Sequence, residues 1–164
     1  MKQASTLFLK IVVIILGIPV LSVSIYGLPK IVKIAFHEAF ANGTVLGYIV
    51  LSMMLVIYIS MIPFYVALYQ TWKLLGFIDQ HLAFSENSVI ALKKIKNCGK
   101  IISGLYVVIL PFVYIVAEWD DAPGLIVINL VFIGASLVVA VFAAVLQRLL
   151  QQAIHLKEEN ELTI

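Results

Sequence analysis

Charge is what this chain lacks over long distances. There is no charged residue from Thr44 to Trp72 and none from Ala122 to Gln147. Soluble domains carry about a quarter of their residues as charged side chains. Here the charged share is 12% and the hydrophobic share 63%, which excludes a water-soluble globular domain and points to lipid as the solvent. Cysteine is nearly missing too: Cys98 stands alone, so no intramolecular disulfide can form. His37, His81 and His155 lie on separate segments without a cysteine pair, and no zinc site is assigned. The formal charge of +2 is too small for the dense basic face that direct nucleic-acid binding needs. No GxSxG elbow, glycine-rich phosphate loop or HExxH pair occurs. The sequence therefore names no catalytic residue, no cofactor and no metal, and the chain is read as a non-enzyme. Nor does an Asp, Glu, Lys, Arg or His fall in the middle of any apolar run, where it would mark a proton relay or ion path.

What is present is a set of four apolar runs, each able to cross a hydrocarbon core of about 30 Å. They predict an all-α integral membrane protein of four transmembrane helices arranged as two hairpins. The spans are expected at about residues 11–29, 44–72, 98–117 and 122–147, in one domain over 1–164. A secretory leader would share the basic start, but the first apolar run is long for one. Lys30, Lys33, His37 and Glu38 belong to an amphipathic connection expected to lie along the membrane interface until Asn42 and Gly43 break it. Pro63 and Pro111 are expected to bend their helices. Ser136, Ala140 and Ala144 form a small-residue ridge for close helix contact, with Asn129 on roughly the same face.

The middle of the chain, residues 73–97, is the polar connection. Overlapping its end, Phe84 to Lys100 carries Lys93, Lys94, Lys96 and Lys100, with Ser85 as a helix N-cap and Glu86 in the first turn. Val89, Leu92 and Ile95 recur at helical spacing on another stripe, so this segment is an amphipathic helix expected to run straight into the third span. Its lysines would face anionic headgroups or a protein partner. Counting basic residues puts Lys2, Lys10, Lys73, the four central lysines, Arg148 and Lys157 on one side, against Lys30 and Lys33 on the other. The positive-inside rule then predicts a cell-membrane protein with both termini cytoplasmic. On the far side Glu118, Asp120 and Asp121 form an acidic turn. It offers oxygen ligands to a hard cation, yet its spacing matches no defined calcium loop and solvated loop charge is the favoured reading.

GLPK at 27–30, IPFYVALYQTWKLL at 62–75, AFSENSVIALKKIK at 83–96 and DDAPGLIVINLVF at 120–132 together resemble the YoaS-like, DUF2975-type family of small bacterial membrane proteins of unknown function. Phe84, Ser85, Asn87, Val89, Leu92 and Ile95 carry the most diagnostic part of that resemblance. It brings no catalytic residues. It implies members encoded beside a small helix-turn-helix regulator of the Xre type. The leading functional expectation is thus a membrane component of a regulatory or stress-response pair, in contact with the lipid bilayer and a cytoplasmic regulator protein, and a possible homo-oligomer. Two alternatives are self-protection against membrane-active peptides, with the acidic turn attracting a cationic toxin, and a small-solute transporter or channel subunit.

Overall fold

The computed structural model describes residues 2–162, with side chains from residue 5 onward. Of the basic residues counted for orientation, the side chain of Lys2 lies outside the described residues. So do the last two residues of the tail. The described chain is helical apart from short turns and contains no strand. Its helices are α1 (Lys2–Ser22), α2 (Leu28–Phe40), α3 (Val45–Asp79), α4 (Glu86–Trp119) and α5 (Gly124–Leu162), and a π-helical turn, Val23–Gly27, joins α1 to α2. Taking α1 and α2 as one rod, four helices are long and apolar enough to cross a membrane.

The rod of α1 and α2 departs from the interfacial connection that the sequence suggests. Pro29 lacks a backbone donor and its ring crowds the carbonyl four residues back, which is the place for a helix to end. The chain instead widens by one π turn, with Leu28 N–H reaching Val23 O, and resumes α-helix with Pro29 in the first turn, where a missing donor costs nothing. The rod stops only at the turn after Phe40, where Gly43 takes a φ of +65°. Leu28, Ala35 and Ala39 are buried on one stripe of α2, and that stripe covers α3 rather than an interface. Gly17 faces Leu68, Ser24 Oγ lies 3.4 Å from Met61 Sδ, and Ala39 meets Gly47. This antiparallel register sets Lys30 and Lys33 alongside the first third of α3, at about residues 52–55 with 1.5 Å of rise per residue. Both lysines are exposed, so their long stems can carry the ammonium groups along the helix surface.

The helices pack in chain order. The rod of α1 and α2 lies against α3, α3 against α4, and α4 most extensively against α5. Because α4 is covered on two sides, it holds half of the buried residues among those described. Tyr106, Ile109 and Val113 form the core cluster, with Met53, Val56 and Ile57 of α3 on one side and Ile126 and Ile133 of α5 on the other. The connections are tight. His81 and Asp121 take left-handed φ values of 59° and 50°. Each closes its helix with a bond from the following residue back to the third-last helical carbonyl, Leu82 to Phe77 and Ala122 to Ala117, as in a Schellman motif.

The residues turned inward on α5 include Ile126, Asn129, Ile133, Ser136, Ala140, Ala143, Gln147 and Leu150. They alternate by three and four, the spacing of a left-handed coiled-coil seam. The expected ridge overlaps it: Asn129 and Ala140 are buried and Ser136 is half-buried, but Ala143 takes the inward position in place of the half-buried Ala144. Asn129 Nδ2 donates to Tyr106 O at 3.2 Å, and Ser136 Oγ returns to its own helix at Phe132 O and Ile133 O. Opposite the ridge stands Gly99. A Cβ added there would lie 2.8 Å from Ser136 O and 3.0 Å from Ala140 Cβ, so the two backbones touch. Gly47 is tighter still, since its Cβ would lie 2.4 Å from Ala39 N.

Overpacking a rigid contact costs typically 1–3 kcal/mol. Gly99→Ala should therefore destabilise the protein by about 2 kcal/mol, and Gly47→Ala by at least as much. Gly134→Ala, which meets nothing within 4 Å, should be neutral or stabilising by up to about 1 kcal/mol through helix propensity. Unfolding midpoints of the three variants in one detergent check this ordering.

Candidate interaction surface

Two clusters of polar side chains stand at opposite ends of the helices. The lysine-rich end is built on the start of α4. Ser85 is extended (φ −132°, ψ 154°) and its hydroxyl accepts from Ser88 N–H at 3.4 Å, capping the helix as its sequence position implies. Ser88 is fully enclosed and its hydroxyl donates to Leu82 O at 3.3 Å, which ties the cap to the preceding turn. Ala91, Leu92 and Ile95 are buried on the same face. The apolar stripe of this helix is thus spent on protein contacts. Phe84, Asn87, Lys93, Lys94 and Lys100 are exposed on the other faces. Lys96 is not one of them: it is half-buried and its Nζ donates to Gln147 Oε1 at 2.8 Å, which joins α4 to α5. Cys98 is a buried free thiol. Past Leu150, α5 runs on as a polar helix with His155–Glu159 and Lys157–Glu161 pairs at i,i+4.

The same end contains a constellation not singled out from the sequence. Lys10 Nζ of α1 pairs with Asp79 at the end of α3 and lies 5.8 Å from the centre of the Trp72 ring, within cation–π range. Thr6 is buried and hydrogen-bonds the same carboxylate. Lys73 Nζ sits 5.7 Å from the Phe77 ring. The only legible signal was an aspartate and a lysine each flanking an apolar run. The hydrogen bond from Lys10, then that from Thr6, hold the Asp79 carboxyl below its ordinary value near 3.8. A depressed carboxylate pKa contributes stability at and above the ordinary value and loses it as pH falls below.

At the turn end, Asp120 is the C-cap of α4 and Asp121 occupies the left-handed position. Glu118 Oε1 accepts from Tyr114 Oη at 2.5 Å. Among the described residues no three His, Cys, Asp or Glu side chains come together as a metal-binding group. A groove of about 260 Å³ lies beside the acidic turn between α2 and α3, reached by Trp119. One polar atom elsewhere lacks a partner among the described residues: the buried hydroxyl of Tyr65.

Asp79→Asn should loosen the start of α1 alone. Amide exchange over residues 6–14 is expected to rise severalfold at neutral pH while that of α4 and α5 stays unchanged. The unmutated protein should show the same loosening only below about pH 3.8.

No solved structure matches the chain. It is 50% identical over 164 residues, covering all of both chains, to the "Uncharacterized membrane protein YoaS" of Bacillus subtilis (strain 168). Residues 8–164 match the family described as "Protein of unknown function (DUF2975)". Four apolar helices, the polar capped start of α4 and this likeness along the whole length agree: the chain is a membrane protein that belongs to the DUF2975 family.

Proposed function

We propose that this protein is a non-enzymatic membrane component of a regulatory or stress-response pair, which presents its lysine-rich end to a cytoplasmic protein. One observation carries the reading. The apolar stripe of the α4 start is buried against the protein at Ser88, Ala91, Leu92 and Ile95, so that stripe is already occupied and only isolated apolar side chains, Ile90 and the preceding Phe84, are left exposed. The helix stands as a rigid extension of the membrane helices and offers Phe84, Asn87, Lys93, Lys94 and Lys100 outward. A docking partner gains from such pre-organisation, because little ordering entropy remains to be lost on binding. The polar end of α5 adds a second helix to that surface.

The orientation belongs to the same proposal. Nine basic residues at one end against Lys30 and Lys33 support a cytoplasmic location of both termini, by the positive-inside rule. The resemblance implies that members are often encoded beside helix-turn-helix regulators, which favours that class of partner.

Purification of the tagged full-length protein from its native membranes should recover a helix-turn-helix regulator, and the double change Lys93→Glu, Lys94→Glu should reduce that recovery at least about tenfold, or roughly 1.4 kcal/mol. Deletion should alter the transcript of the adjacent regulator. Recovery of no regulator together with an unchanged transcript would overturn the reading.

A further inference from the structure

The groove at the turn end has a built polarity. Its walls are Ile31, Ile34 and Ala35 of α2 and Leu46, Gly47 and Val50 of α3, with Glu38, Thr44 and Trp119 completing it. From Ile31 to Glu38 the α2 wall runs about 10 Å, at 1.5 Å per residue, from aliphatic side chains to a carboxylate. The carboxylate lies toward the turn and the aliphatic part toward the middle of the helices. Gly47 shapes the floor, because any side chain there would collide with Ala39.

Glu38 is the sole charged residue of the lining. Its carboxylate makes no ion pair or hydrogen bond among the described residues. Its backbone, by contrast, is fixed: Glu38 O accepts from both Thr44 N–H at 3.0 Å and Thr44 Oγ1 at 2.8 Å. A free carboxylate is thereby held at the mouth of an apolar slot beside an exposed Trp119 ring. An indole face and a carboxylate together favour an organic cation, quaternary ammonium above all. Glu118, Asp120 and Asp121 add negative potential at this end. The basic groups of α2, namely Lys30, Lys33 and His37, do not line the groove. At about 260 Å³ the space falls just under the range of about 300–1,000 Å³ typical of ligand pockets, which suits one alkyl chain and not the two chains of a phospholipid.

We propose that this groove binds a soluble single-chain amphiphile with an amine or quaternary ammonium head. The head sits at Glu38 and Trp119, and the chain runs along Ile31, Ile34 and Val50. The site is independent of the lysine-rich end and of any partner docked there.

The test uses the full-length protein in an uncharged steroidal glycoside detergent, whose rigid body does not imitate an alkyl chain. The chain has two tryptophans, so Trp72→Phe leaves Trp119 as the only reporter. Titration with decyltrimethylammonium should change Trp119 emission saturably. Glu38→Gln, which keeps the backbone bonds to Thr44, should weaken binding at least about tenfold, whereas Glu118→Gln should change it less than about threefold. Calorimetry on the protein with both tryptophans, comparing Glu38→Asp with Glu38→Gln, reads the same difference without the reporter change. An equal affinity in Glu38→Gln, an equal saturable response to decanol or decyl sulfate, or displacement by phosphatidylethanolamine would each overturn the proposal.

Discussion

The contact on which the arrangement depends is the meeting of two helix backbones at Gly99, against Ser136 O and Ala140. Inside a bilayer, burying one apolar side chain against another gains little over leaving it in lipid, so helices associate through close van der Waals packing and a few hydrogen bonds. Small residues make that possible. Ser136, Ala140 and Ala143 on α5 let α4 approach, and Asn129 adds a bond to Tyr106 O within the same seam. Gly47 does the equivalent for α2 and α3. The fold is thus held by what its helices omit at a few heights, and the bulky side chains largely face outward.

Because the seam follows one heptad pattern, it does not stop where the apolar run stops. Gln147 continues it on α5 and Lys96 reaches across from α4. The charged start of α4 therefore inherits the rigidity of the apolar part. The cap at Ser85, the enclosed hydroxyl of Ser88 and the turn through His81 fix where that rigid piece begins. At the same end, the lysine–aspartate contact and the Trp72 ring hold the first helix, of whose most apolar stretch none is buried within the protein. Electrostatics is used where packing is thin.

Much of this was legible in the residues. Apolar length revealed four crossing helices, Asn42 and Gly43 marked the first turn, and Ser85 with Glu86 marked the start of α4, because each of these signals is local to the chain. Three features were not local. Gly99 reads as a mere helix weakener until the helix facing it is known. Asp79 and Lys10 are 69 residues apart, and neither is unusual alone. The passage of the first rod through Pro29 needed a π turn, an adjustment that proline spacing does not announce, so Lys30 and Lys33 came to lie along α3 instead of in a connection. The free carboxylate of Glu38 had no meaning before Trp119 was seen to close the same groove.

Spin-label distances test the central claim most directly: that the α4–α5 seam is one rigid unit from the membrane core to the lysine-rich end. Labels at Val107 and Val131 report the core, and labels at Lys93 and Gln151 report the charged end; all four positions are exposed. Both pairs should give single distance distributions of equal, narrow width. A broad or two-peaked distribution confined to Lys93 and Gln151 would contradict the account.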